Sequence, residues 1–368
     1  MSVRCEGARF AYRDKFVKEL YEDIAQLILG ESISASNVEY RLRMLAYSNS
    51  EETRAYWRFH GDGLGIPDSA YKSNPPYLFP EQEPVRIFKT SMTTGTRAGW
   101  IPYSAQGMEL MDLSIVRNAG LHIMHGLNEP AVIRLVPSEQ SAPTMVMAYG
   151  MELIARRFGH PGLSDCVLSD SGVDLSLLRR LLDGAVAEQR PVIMIGATSI
   201  FVNLSQSLKK LGCSWELPAG SRLVDAGGHK LSRQVTVDEI RTMAADVFDI
   251  EPGPAGHLNL FGMTELASQL YDAEDTPVGP SGERPKGSET FVRAQVRATS
   301  DLSILRHGIG LLEVVDLCVL DRPCGLLTGD WGLSDPAGTA IIGRVEQGRP
   351  RGCSLLLDQI ASEGGRHA

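Results

Sequence analysis

The segment Thr90-Ser91-Met92-Thr93-Thr94-Gly95-Thr96 comes directly behind the strand-like run Val85–Phe88 and sets four threonines and a serine around a single glycine. Small hydroxyl side chains and backbone N–H groups in such a turn can surround phosphate oxygens without a bulky branch blocking close approach. Each contact of this kind is typically worth only ~0.3–1 kcal/mol, so several donors must converge. The plain alternative is a hydroxyl-rich β-turn. A Walker loop is excluded, because its glycine-to-Lys-Ser/Thr spacing is missing.

Outward from this segment, short β-branched runs alternate with amphipathic stretches. Strands are expected at Val132–Val136, Val192–Ile195, Leu223–Val224 and Leu258–Phe261, and helices near Thr144–Phe158, Leu175–Leu182, Phe201–Leu211 and Val237–Val247. That alternation predicts βα units and a mainly parallel sheet. Upstream, Phe16, Leu20, Ile24, Leu27 and Ile28 recur at helical spacing before Gly30, with Val38, Leu42 and Leu45 continuing the pattern. The proline-, glycine- and aromatic-rich stretch 61–84 reads as an irregular connection. In the last third, Phe291–Val296, Leu311–Val315 and Ala340–Ile342 are strands without long helices between them, so an antiparallel or separate small sheet is expected.

Two further clusters follow apolar strands. In Phe261-Gly262-Met263-Thr264-Glu265, Gly262 permits a sharp turn, and Thr264 and Glu265 bring polar groups to the carboxyl end of a strand, where open α/β sheets bind ligands. A glutamate there can hold Mg²⁺, which takes one or two carboxylates with phosphate oxygens and water. The alternative is a helix N-terminus capped and charge-balanced by the same pair. In Leu327-Thr328-Gly329-Asp330-Trp331-Gly332, followed by Gly343-Arg344, the aspartate can accept both hydroxyls of a ribose; a β-turn is the alternative.

Composition narrows the classes. With 368 residues, 43% hydrophobic content and a net charge of −9, the chain can bury a large core, and no basic run points to nucleic acid. No apolar run is long enough for a membrane span, and the amino terminus lacks the apolar centre of a signal peptide, so a cytoplasmic protein is expected. Six scattered cysteines, without a C-x-x-C pair, argue against disulfides and structural zinc. His122, His125, Met145, Met147 and Met151 are candidates for lining a pocket, with ordinary core positions as the alternative. Gly61-x-Gly63-x-Gly65 has no preceding strand, and Ser207 reads as an exposed helix position, so both are taken as structural.

Taken in this order, the three motifs resemble those of the adenylate-forming superfamily. The likeness is greatest to the acyl-protein synthetase family of the bacterial luciferase system and spans most of the chain. It includes Leu135-Val136-Pro137-Ser138, Gly227-Gly228 and Arg351-Gly352-Cys353-Ser354. The resemblance implies an α/β fold of the adenylate-forming large-domain kind, parallel-rich sheets packed with helices plus a smaller antiparallel β part. It divides the chain into a helical and irregular segment (1–84), an adenylation core (85–345) and a short tail (346–368). Only 24 residues follow Arg344, so the mobile carboxy-terminal domain of larger relatives is expected to be absent.

The resemblance also implies ATP and Mg²⁺ as cofactors and a carboxylic acid as substrate. Thr90, Ser91, Thr93, Thr94 and Gly95 would hold the β- and γ-phosphates, with Gly227 and Gly228 against the adenine. Gly262 would form the turn, Thr264 would contact the α-phosphate, Glu265 would bind Mg²⁺, Asp330 the ribose, and Arg344 would sit at the hinge position. Met92 stands where those enzymes carry glycine, and Thr96-Arg97-Ala98 replaces their basic continuation; Arg97 and Lys230 are candidates to supply the charge.

Activated acid then needs a nucleophile, and a thiolate is the best side-chain candidate. Cys353 has Arg349 and Arg351 nearby on the glycine-flanked stretch Gly348–Gly352, and in the resembled family a cysteine near the carboxy terminus accepts the acyl group. A buried tail cysteine is the alternative. Three readings stand: transfer through Cys353 to a partner such as an acyl reductase, transfer to coenzyme A or a carrier protein, and a nucleotide-binding protein without turnover.

Overall fold

Helix caps set the opening of the chain. In the computed structural model, which describes residues 2–73, 75–90, 99–169, 172–226, 236–273, 276, 279 and 284–344 (side chains of 2–12 and 73 excepted), α1 spans Ser2–Leu29 and ends at Gly30, whose φ of +89° suits glycine. Helices α2 (Ala35–Asn49) and α3 (Glu51–His60) each begin on a serine, Ser34 and Ser50, that accepts the N–H three residues on. Leu20, Ile24, Leu27, Ile28, Val38 and Leu42 form the buried face.

The next strand, β1 (Arg86–Lys89), stays out of the parallel sheet. It pairs antiparallel with β2 (Trp100–Tyr103), because the connection between them is too short for the crossover of about a dozen residues that a parallel pair needs. Helix α4 (Ala105–Asn118), N-capped by Ser104, then runs into a π-helical turn at Ala119–Met124. The sequence reading names no element here; two polar residues, Ser114 and Asn118, lie buried on this helix, where Ser114 shares a hydrogen bond with Ser268 and Asn118 donates to the Gln269 carbonyl.

The βα alternation follows as expected: β3 (Ala131–Leu135), α5 (Val146–Phe158), α6 (Leu175–Ala187), β4 (Val192–Ala197), α7 (Thr198–Lys210), β5 (Arg222–Ala226), α8 (Val237–Phe248) and β6 (His257–Phe261). Strands β3 to β6 lie parallel in the order β6-β5-β4-β3, with the short antiparallel β7 (Leu270–Tyr271) beyond β6 and Asp165–Cys166 beyond β3. Burial on both faces gives β4 its unbroken apolar run: Ile193 and Ile195 face the core shared with the first helices, Val192 and Met194 the core under α6, α7 and α8.

The described residues close with a second sheet, which is not the smaller part expected but the larger of the two, seven strands against six. Strand β8 (Pro285–Lys286) is followed by β9 (Val292–Arg297), β10 (Gly308–Asp316), β11 (Gly325–Asp335) and β12 (Gly338–Arg344), ordered β8-β12-β11-β10-β9, all antiparallel. Ile66–Pro67 adds a parallel strand against β11, and a side chain at Gly65 would put its Cβ 2.7 Å from Leu327 N. Thr328-Gly329-Asp330 therefore lies inside a strand and not at the β-turn that its composition also allows.

Candidate active site

The carboxyl ends of β4, β5 and β6 open into a cavity of about 680 Å³, closed from the other side by β11, β12 and the segment around Asp68. Six of the residues singled out from sequence, Thr90, Gly262, Thr264, Glu265, Asp330 and Arg344, line this one space. Ser91, Thr93, Thr94, Gly95, Gly227, Gly228 and Cys353 lie outside the described residues, as do Met92, Arg97 and Lys230.

No helix follows Glu265; residues 262–269 form an irregular turn between β6 and β7, so the capping alternative does not hold. Glu265 is 6% exposed, and burial pushes its carboxyl up to about 7, with the neighbouring Asp68 charge adding to the effect against Arg322 and Lys72. A cation brought next to Glu265 and Asp68 would supply the charge that burial withholds, and the pair suits an ion that takes its remaining ligands from phosphate and water. Among the described residues no cluster of three or more His, Cys, Asp or Glu is arranged to hold a metal.

Asp330 and Arg344 are cross-strand partners in β11 and β12, with Arg344 Nε 3.3 Å from Asp330 Oδ1. Burial, with Asp68 nearby, raises the Asp330 carboxyl against the pull of Arg344. Thr90 closes the base of the β1–β2 connection: its N–H donates to the Gly99 carbonyl, and its hydroxyl accepts the Gly99 N–H at 2.8 Å, which keeps its own O–H available as a donor.

One wall is apolar, formed by Met111 and Ile115 of α4 and by Met147, Met151 and Ile154 of α5, with Gly150 leaving a gap where a Cβ would stand 3.5 Å from Ile115 Cδ1. Met145 lines the cavity as well. The histidines do not: His122 accepts or donates a 3.0 Å hydrogen bond with Glu289 and stacks on Tyr271, and His125 sits at the left-handed end of the π-helical turn.

The opposite end is polar and buried. Asp225 accepts from Thr198 Oγ1 at 2.6 Å, from Asn259 Nδ2 at 3.1 Å and meets His257 Nε2 at 2.8 Å. Asp272 pairs with both Arg284 (2.7 Å) and Lys286 (2.8 Å), and Lys286 Nζ also donates to Asn259 Oδ1 at 2.6 Å. Burial alone would raise the Asp225 carboxyl, but the His257 hydrogen bond and the charge of Arg284 win and hold it down at about 2. Sequence reading missed Asp68, Asp225, Asn259, Arg284 and Lys286. Only Asp225 and Asn259 carried a signal, as polar residues near the end and in the middle of apolar strands.

Cys318 and Cys324 are buried, and burial pushes both thiols up, that of Cys324 to about 12. No helix among the described residues is long and apolar enough to cross a membrane.

No protein-family profile matches the chain, and no curated protein matches it. Solved structures do. A 2-hydroxyisobutyryl-CoA ligase, solved with its 2-hydroxyisobutyryl-AMP and coenzyme A, matches over 86% of this chain and 71% of its own, at 13% identity and a TM-score of 0.56. A long-chain-fatty-acid-CoA ligase from Archaeoglobus fulgidus (14% identity, TM-score 0.49) and a McyG adenylation and carrier-protein unit with phenylalanyl-adenylate (18%, 0.46) match over 72% of this chain each. The chain spans only about half of those two, 52% and 48%. The fold is therefore the one found in that coenzyme A ligase, with the mixed, largely parallel sheet and the antiparallel sheet described above.

Proposed function

We propose that this chain activates a carboxylic acid with ATP and passes the acyl group to a thiol. The observation that carries this reading is a single cavity that joins Glu265, Thr264 and the Asp330–Arg344 pair to a wall of methionine and isoleucine. Buried carboxylates at one end suit a nucleotide bound with its cation, and the hydrocarbon wall suits the body of a fatty or aryl acid.

A carboxylate is a poor electrophile, because its charge repels nucleophiles and its oxide leaves badly. In the reaction its oxygen attacks the α-phosphorus of ATP, the bond from that phosphorus to the bridging oxygen breaks, and pyrophosphate leaves. No protein nucleophile takes part, so catalysis is positioning and electrostatics. Thr264 donates to the α-phosphate, Asp330 takes the ribose hydroxyls with Arg344 fixing its carboxylate, and Thr90 with the hydroxyl-rich loop holds the leaving phosphates. Glu265 and Asp68 would hold Mg²⁺, which would draw charge from the phosphate oxygens.

In the second step the Cys353 thiolate attacks the acyl carbonyl and AMP leaves, giving a thioester that a partner such as an acyl reductase receives. The high thiol values of Cys318 and Cys324 support an acceptor outside the core. The fold shared with a coenzyme A ligase supports a second reading, in which coenzyme A or a carrier protein receives the acyl group directly. Intact mass after incubation with Mg-ATP and a panel of acids, beside Cys353→Ser, separates them. A hydroxylamine-sensitive gain lost in the variant supports the first; AMP release without a gain supports the second. Absence of both AMP and pyrophosphate overturns adenylation.

A further inference from the structure

The turn that carries Glu265 is gripped along four consecutive residues by buried side chains from elsewhere in the chain. Arg322 Nε donates to the Glu265 carbonyl at 2.7 Å, and Tyr103 Oη donates to the Leu266 carbonyl at 3.1 Å. On the other side, Asp316 Oδ2 accepts the Ala267 N–H at 2.7 Å and the Ser268 N–H at 2.8 Å. Arg322 and Tyr103 are also joined to each other, Nη2 to Oη at 2.5 Å, with the guanidinium 4.4 Å above the tyrosine ring. All three side chains are buried: Tyr103 and Asp316 are fully enclosed and Arg322 is 3% exposed.

A plain connection between β6 and β7 does not need this. Turns are ordinarily exposed and satisfied by their own backbone, and enclosing a guanidinium is costly. Here Arg322 gives its Nε and Nη2 to neutral oxygens, one of them the carbonyl of Glu265 itself. Tyr103 closes strand β2, and the base of the same hairpin is the Thr90–Gly99 pair at the hydroxyl-rich loop. One hydroxyl therefore connects the two parts of the site that must meet the same triphosphate.

We propose that Tyr103 and Arg322 are positioning residues, a clasp that fixes the peptide of Glu265 and holds it in register with the phosphate-loop hairpin. The kinetic half of this proposal rests on the adenylation reading above; the mechanical half does not. Neither residue faces the cavity, so neither touches substrate.

The test uses Tyr103→Phe, which removes one hydroxyl and keeps the ring under the guanidinium, with Arg322→Met and Arg322→Lys beside it. Hydrogen exchange of the nucleotide-free protein reads the clasp alone: segment 262–269 should exchange about 10-fold or more faster in Tyr103→Phe, which removes the bond to the Leu266 carbonyl and leaves Arg322 Nη2 without its partner. Unchanged exchange there overturns the clasp whatever the protein catalyses. Pyrophosphate exchange reads its use. Tyr103→Phe should lower kcat about 10-fold and raise half-saturating Mg²⁺ several-fold, with KM for the acid unchanged, and Arg322→Lys should recover part of what Arg322→Met loses. Activity that falls only in step with the folded fraction, at wild-type Mg²⁺ dependence, overturns the positioning role. Faster exchange in the variant, with no pyrophosphate exchange by the wild type, upholds the clasp and sinks the adenylation reading instead.

Discussion

Glu265→Gln should make the metal-free protein more stable at pH 8 while removing its activity. Burial holds this carboxyl at about 7 in the folded chain against an ordinary value of 4.5. A carboxyl raised on folding keeps a proton that the unfolded chain has released, so its contribution to stability falls as pH climbs from 4.5 to about 7. At ~1.4 kcal/mol per pH unit, the stability lost through this shifted proton equilibrium is about 3 kcal/mol at pH 8 and about 1 kcal/mol at pH 5.5. Glutamine has no proton to lose. Urea unfolding in EDTA should therefore show the variant ahead by a margin that grows by about 2 kcal/mol between the two pH values. A margin that stays flat with pH, or a variant less stable at pH 8, would refute the burial reasoning. The same variant should lose pyrophosphate exchange, a stability gain bought at the expense of function.

Asp225→Ala strips the shared acceptor from Thr198, Asn259, His257 and Arg284 and should cost about 3–5 kcal/mol in urea unfolding. In the wild type the Asp225 contribution is fully present above pH 3.8 and is lost as pH falls toward about 2, which acid titration of the unfolding free energy should show against Asp225→Asn. Gly150→Leu fills the gap beside Ile115 and should shift acid preference toward shorter chains by about 10-fold or more in kcat/KM, with little change in KM for ATP. Asp330→Asn, which keeps shape and loses charge, should raise KM for ATP about 10-fold or more at unchanged melting temperature; an unaltered KM would remove Asp330 from the nucleotide site.

What sequence makes legible here is whatever a short contiguous stretch can encode. The βα alternation from Val132 to Phe261 is visible because each strand and helix carries its own period, and Gly262-Met263-Thr264-Glu265 is visible because the turn and its polar groups are neighbours. Helix α4 is not named from sequence, and the partners of its buried Ser114 and Asn118, Ser268 and Gln269, lie far along the chain. Asp68 reads as one polar residue in an irregular stretch, and only the pairing of Ile66–Pro67 with β11 brings it beside Asp330. The clasp is invisible for the same reason: Tyr103, Glu265 and Arg322 meet only in three dimensions. The order of strands in the parallel sheet likewise follows from crossovers and not from any one segment.

The pairing of Ile66 with Leu326 also sets a clock. Two residues 260 positions apart must find each other before the wall of the cavity near Asp68 exists. At roughly 5–20 residues per second, the ribosome delivers the second strand about 13–50 s after the first. Through that interval the amino-terminal helices and the parallel sheet can assemble, yet Gly65–Pro67 waits with its backbone unpaired. Contacts of such long separation form late and slowly. Chains stalled before β11 should accordingly hold a formed sheet and an open, unfinished cavity.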